Sequence, residues 1–206
     1  MIASAAGGIA GWAHSHAIVP NAPKAPGTPS AVGTHPGGVA RGKIQTTFEP
    51  KPGDSLVAFS AGCFWGTEEA FRKIPGIVAT AAGYMGGSTE FPTYEQAHAS
   101  GHTETVLVEF NPSRTPFSSL LNTFWKLHRA TSSDGPGHEK SSHRAAIWTY
   151  DSDELKQAKA SQRRLEIQEH RTFRTRIQPA QPFYLAEEYH QQYDEKWGTN
   201  LCPIDP

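Results

Sequence analysis

Of the two cysteines in the chain, Cys63 falls in the stretch SAGCFWGTEEAF, between Gly62 and the rings of Phe64 and Trp65. Before it, SLVAFSAG is a short apolar run closed by glycine; after it, TEEAFRKIPG collects helix formers up to a Pro-Gly stop. The spacing predicts strand, turn and helix, with Cys63 on the turn. A sulfur just before a helix lies near unpaired backbone N–H groups and the positive end of the helix dipole. Both favour the thiolate, the form that attacks. Local sequence leaves a second reading open, in which Cys63 is a small buried hydrophobe and Phe64 and Trp65 are core anchors. Cys202 lies far down the chain, so the pair is neither a disulfide framework nor a zinc ribbon with closely spaced ligands.

Other residue patterns carry weaker signals. His98 and His102 are spaced i, i+4 and would share one helix face, the start of a zinc site, with His138 and His143 further on. Ser100 and Gly101 interrupt that helix and no third ligand is signalled, so no metal is expected. Cys63 with His190 would suit a thiol hydrolase in which imidazole activates the sulfur, but no third orienting residue is signalled.

The elements that must position these groups follow from periodicity. GIVATAAGYMGG reads as a second strand, TYEQAHAS as a brief helix and TETVLVEFNP as a third strand. Phe117, Leu120, Leu121, Phe124 and Leu127 form an amphipathic stripe beginning beside Pro116, which predicts a core-facing helix. RAAIWTY is a further strand. Ser152 to about Arg171 is a charged surface helix with Ser152 as N-cap, and its charge-dense part around Gln162 to Arg174 is a solvated face. The final part is read as a short aromatic helix and an irregular tail. Strands alternating with helices predict layered α and β packing.

Composition bounds the rest. At 206 residues with 37% hydrophobic content, the chain can bury one core, and residues 51–206 are expected to form a single domain. Residues 1–50, rich in Ala, Gly and Pro and free of acid before Glu49, are expected to be a disordered arm. The arm lacks the basic start of a secretory signal and holds only Arg41, too little arginine for an organellar leader. A cytoplasmic location is therefore expected, with organellar targeting the alternative. The net charge of −1 offers no field to draw nucleic acid or an anionic membrane, and no apolar run is long enough to span a bilayer.

Taken together, GCFWGTEEAF, PGIVATAAGYMGG, PTYEQ, GHTETV and AEEYHQQY, in that order between Ser55 and Cys202, resemble the A class of peptide methionine sulfoxide reductases. The resemblance implies an α+β two-layer sandwich, a mixed sheet with helices and a ferredoxin-like core. It also implies reduction of the S epimer of methionine sulfoxide without a bound cofactor. Cys63 matches the family's nucleophile, Phe64 and Trp65 the pocket for the substrate methyl group, Glu104 the acid for the sulfoxide oxygen, and Tyr94 a phenol that bonds the same oxygen. Without the resemblance, Glu104 reads as a solvent-facing strand residue and Tyr94 as a half-buried ring. Tyr84 reads as a packing residue. A sulfoxide oxygen leaves poorly until protonated, so an acid is needed, and Glu104 is expected to hold its proton because the Phe64–Trp65 wall desolvates it. Cys202 matches the family's recycling cysteine, with thioredoxin as reductant and a monomer as the expected state.

The chain also departs from the family pattern. Arg129 and Ala130 replace Asp-Pro, the loop aspartate falls opposite Gly137 or His138, and His143 stands where a second substrate-binding tyrosine is expected. About two residues are missing between Tyr94 and Glu104. His143 could donate a hydrogen bond in place of the phenol, leaving an active enzyme; otherwise the chain is a degenerate member that binds a sulfoxide or partner without turnover.

Overall fold

The structure, a computed structural model, describes residues 32–39, 49–131 and 142–198, the side chains of 128–131 excepted. In β1 (Ser55–Ser60), Val57 and Phe59 alternate with Leu56 and Ala58, and both sets are buried. A strand this apolar on both sides belongs inside a sheet with both faces covered. It lies beside β3 (Thr103–Phe110) and β4 (Ala146–Thr149), antiparallel to each. β2 (Ile77–Met85) pairs antiparallel with the other edge of β3.

The helix α1 (Phe64–Arg72) connects β1 to β2, and α3 (Phe117–Thr131) connects β3 to β4. Two β-α-β units thus interlock, giving the four central strands the order β4-β1-β3-β2 of a ferredoxin-like core. At the edges, β5 (Arg176–Pro179) adds parallel to β4 and β6 (Phe183–Leu185) antiparallel to β2, which makes the six-stranded sheet mixed. The remaining α-helices among the described residues are α2 (Tyr94–Ala99), α4 (Ser152–Glu169) and α5 (Tyr193–Trp197). The α+β class implied by the resemblance is the class observed.

One sheet face packs the predicted stripe of α3: Phe117, Leu120, Leu121, Phe124 and Leu127 are all buried. There the Phe59 ring stacks 4.5 Å from Phe71 and 5.5 Å from Phe124. The other face buries Ala58, Ala81, Met85, Leu107, Trp148 and Phe183 together with Val39.

Val39 belongs to the arm expected to be disordered, and residues 32–39 of that arm are instead packed on the domain. Gly33 bridges to β2, donating its N–H to the Val78 carbonyl at 2.8 Å and accepting from the Thr80 N–H at 3.1 Å. Glu109, buried on β3, accepts the N–H groups of Gly37 and Lys51, each at 2.9 Å. Arg72, buried on α1, donates to the carbonyls of Val32 and Gly33 at 3.1 and 3.0 Å, to Thr80 at 3.0 Å and to Glu195 at 2.8 Å. A buried carboxylate and a buried guanidinium both require polar partners, and a Gly-Pro segment brings bare backbone close enough to supply them. Composition reported the low apolar content but not these two demands. Residues 1–31 and 40–48 of the arm lie outside the described residues, and with them the targeting question.

Two further differences are local. The N-cap of α4 is Asp151, not Ser152: its carboxylate accepts the N–H groups of Asp153 at 2.7 Å and Glu154 at 2.9 Å. The C-terminal aromatic segment is not one helix but β6, a 3-10 turn over Glu188–His190 and then α5, with Gln192 in a left-handed conformation between the last two.

Candidate active site

Cys63 is the N-cap residue of α1, placed there by the left-handed Gly62 at φ 98°. Its sulfur is engaged in a disulfide and no cysteine among the described residues is a free thiol. Cys202, the expected recycling residue, lies outside the described residues.

The next residue, Phe64, does two things at once. Its ring is buried 4.9 Å from His190 and 5.9 Å from Tyr84, forming the apolar wall. Its backbone N–H, one of the orphan donors of the helix start, points at Glu104 and donates to Oε2 at 2.9 Å. Trp65 lies flat on Tyr193, with ring centroids 3.8 Å apart and planes 8° from parallel, and its indole N–H donates to His190 Nδ1 at 2.9 Å.

Glu104 sits near the start of β3, buried, where its N–H pairs with the Ser142 carbonyl at 2.8 Å and so draws the 142–145 segment against the site. Arg144 fastens the same segment by donating to the Gly101 carbonyl at 2.7 Å. His143 Nε2 is thereby brought 3.3 Å from Glu104 Oε1. On the other side, α2 begins with a capping box of Thr93 and Gln96 and presents Tyr94 and His98 one turn apart on one face. The Tyr94 hydroxyl bonds the Glu104 carboxylate, and His98 Nε2 lies 3.4 Å from Oε1. The Tyr94 N–H donates to Glu187 at 3.2 Å, and the same carboxylate accepts the Tyr84 hydroxyl at 2.9 Å. Tyr84 is thus the buried packing residue expected, with a partner for its hydroxyl.

The electrostatics of Glu104 differ from expectation. Burial alone would push its carboxyl up, but donors from His143, His98 and the Phe64 N–H outweigh burial and hold it down at about 2. The desolvating wall is present, yet its backbone donates to the carboxylate, which favours the ionised form. The hydrogen bond to Glu104 raises His143 in spite of burial. Burial first, then the neighbouring Glu104 charge, push the Tyr94 phenol above its ordinary range.

Sequence reasoning thus brought Cys63, Phe64, Trp65, Tyr94, Glu104 and His143 to one place, and it missed His98 as a member. The readable signal is Tyr94-x-x-x-His98, an i, i+4 pair on one helix face, whereas the sequence pairs His98 as readily with His102 as the start of a metal site. That pairing does not form: the His102 ring is turned to Gly87, whose N–H meets Nδ1 at 3.1 Å, and to the Thr89 carbonyl 2.9 Å from Nε2. Among the described residues no group of three or more His, Cys, Asp and Glu side chains is arranged to hold a metal ion. His190 is locked by the Trp65 indole and by the surrounding rings, not held as the base of a hydrolase. The side chains of Arg129 and Ala130, and residues Gly137 and His138, lie outside what is described.

A family model described as peptide methionine sulfoxide reductase matches residues 55–206. The chain is similar to the peptide methionine sulfoxide reductase MsrA of Methanosarcina mazei, with 42% identity over 167 residues, 77% of this chain and 79% of that protein. It is also similar to the MsrA of Vibrio cholerae, with 38% identity over 165 residues, 77% and 78% of the two chains. Among solved structures, the reduced form of Mxr1 from Saccharomyces cerevisiae superimposes with a TM-score of 0.67 at 27% identity, covering 81% of this chain and 97% of that one.

Proposed function

The chain belongs to the peptide methionine sulfoxide reductase family, and on that premise we propose that it reduces the S epimer of methionine sulfoxide, free or in peptides, with Cys63 as the nucleophile. In the step proposed, the Cys63 thiolate takes the sulfoxide oxygen. The substrate S–O bond breaks, a Cys63 S–O bond forms, and one proton ends on the sulfenic oxygen. The substrate sulfur gains the two electrons that Cys63 gives up. The Cys202 thiol then condenses with the sulfenic acid, releasing water and leaving a disulfide that the dithiol of thioredoxin reduces.

The observation that carries this reading is the Phe64 N–H bonded to Glu104 Oε2. It ties the residue beside the nucleophile to the group meant for the sulfoxide oxygen. Phe64 and Trp65 supply the apolar receptacle for the S-methyl group, and Tyr94 and His143 flank Glu104 where the oxygen would sit. His143 reaching Glu104 favours the active enzyme over the degenerate member, because the donor expected from a second tyrosine has an imidazole in its place.

Turnover of a dabsylated methionine S-sulfoxide with dithiothreitol tests the reading. The wild type turns over and Cys63→Ser does not. Cys202→Ser keeps the dithiothreitol-driven reaction and loses the thioredoxin-driven one. Sulfoxide-peptide binding without wild-type turnover would identify the degenerate member, and release of ammonia or free acid from an amide would identify a hydrolase.

A further inference from the structure

The short helix α5 is fastened to α1 by contacts that follow one side of the longer helix. Trp65 lies flat on Tyr193 at 3.8 Å. Nearly a turn later Glu68, fully buried, accepts the Gln192 N–H at Oε2 (2.8 Å) and the Gln192 side-chain amide at Oε1 (2.9 Å). One turn beyond that, Arg72 Nε donates to Glu195 at 2.8 Å. Positions 65, 68 and 72 share a helix face by their spacing. Gln192 brings both of its donors to Glu68 in a left-handed conformation at φ 48°, which a residue with a side chain adopts only when its bonds offset the cost. Its carbonyl then accepts the Lys196 N–H of α5 at 2.9 Å. Just before it, Gln191 is anchored elsewhere: its Oε1 accepts the Ala82 N–H at 2.9 Å and its Nε2 donates to the Ala82 carbonyl at 2.8 Å. The chain is thus held to β2 as far as Gln191 and to α1 from Gln192 onward.

This change of anchor bears on the second cysteine. α5 ends at Trp197, and Cys202 lies five residues further on, a tether that spans at most about 17 Å when fully extended. If α5 let go of α1, the tether would begin after Gln191 and count eleven residues. The effective concentration of a group on a flexible tether falls roughly as the −3/2 power of its length, so release would dilute Cys202 at Cys63 about threefold.

We propose that Glu68, Gln192 and Glu195 are positioning residues for recycling: they fasten α5 to the helix that bears Cys63 and so keep the tether of Cys202 short. This rests on the reductase reading and deepens it at its second step. There the Cys202 sulfur attacks the sulfenic sulfur of Cys63, an S–S bond forms and the Cys63 S–O bond breaks. The oxygen leaves as water with the thiol proton, the Cys202 sulfur is oxidised and the Cys63 sulfur reduced.

The test is a single turnover of the reduced protein with the methionine S-sulfoxide, with no reductant present and with dimedone as a trap for sulfenic acid. Methionine formed reports the first step, and the ratio of trapped Cys63 to disulfide reports how fast Cys202 arrives. Gln192→Ala leaves Thr80 on Glu68 Oε1 and the backbone N–H of position 192 on Oε2, so the buried carboxylate keeps partners. Glu195→Lys, at a side chain 34% exposed, sets a like charge against Arg72. Each should raise the trapped-to-disulfide ratio, and the double variant should raise it about threefold, with the rate of methionine formation unchanged. A six-residue Gly-Ser insertion after Gly198 makes an eleven-residue tether while α5 stays seated, and should give the same about threefold rise. The proposal alone is overturned by a ratio unmoved in the substituted proteins, by a ratio unmoved by the insertion, or by methionine formation slowed in step with recycling. A wild type that makes methionine but no disulfide ends the recycling role of Cys202 along with it. A wild type that makes no methionine ends the reductase reading itself.

Discussion

Arg72 has 4% of its side chain exposed, and each nitrogen of its guanidinium donates to an oxygen. Removing it would strand Glu68, whose buried carboxylate already sits above its ordinary range through desolvation and is held by Thr80 and Gln192. Arg72→Ala should therefore cost about 3–5 kcal/mol in urea unfolding. Arg72→Lys should recover little of it, since a point charge cannot serve several acceptors in a fork. Glu154 is the opposite case. Burial, with Asp151 adding, raises it from 4.5 to about 8, and its Oε2 has no hydrogen-bond partner. The folded state thus holds a proton there that the unfolded chain gives up between those values, so stability is complete below about pH 4.5 and falls as pH rises to about 8. Glu154→Gln should flatten the Tm curve over that window and gain about 2 kcal/mol at pH 8 after relaxation is allowed for. Neither residue was legible as special, because a buried charge looks like a surface one until the chain is packed. The proposed reactive residues were legible as a group, since Cys63, Glu104 and Tyr94 sit in the words that carry the family resemblance. Their protonation states were not, because the His98 and His143 contacts depend on how α2 and the 142–145 segment close on β3.

Periodicity revealed the long elements and hid the short ones. The α3 stripe and the alternation of β1 and β3 were readable because each covers several turns or pleats. β5 and β6 span Arg176–Pro179 and Phe183–Leu185, too short for alternation to show, and are strands only because exposed sheet edges accept them. β6 nevertheless matters to the site, because the chain leaving it carries Glu187 and His190. Its pairing with β2 depends on Gly83, where an added Cβ would fall 2.3 Å from Phe183 Cζ and 2.4 Å from the Tyr184 carbonyl oxygen. The second of these atoms is backbone and cannot step aside. Gly83→Ala should cost more than about 3 kcal/mol and, by shifting the turn that supports Tyr94, raise KM for the sulfoxide. An unchanged Tm and KM would show that β6 can be displaced without consequence.

In the whole molecule, the helix that presents Cys63 is gripped from two directions. Residues 32–39 hold it from the N-terminal side through the Val32 and Gly33 carbonyls, and α5 holds it from the C-terminal side through Glu195, both by way of Arg72. A chain lacking residues 1–39 should lose about 2–4 kcal/mol, because Glu109 and Arg72 would each be left with buried unmet polar groups. Full stability in that truncation would mean other groups replace the segment. The stack of Trp65 on Tyr193 has a spectroscopic corollary. An indole half-buried beneath a phenol and tied to an imidazole is partly shielded from water, so lifting α5 away would shift its emission to the red, a change that Trp65→Phe would diminish and that Trp197→Phe would leave in place. The molecule thereby carries an intrinsic fluorophore that reports, without a dye, whether α5 is seated.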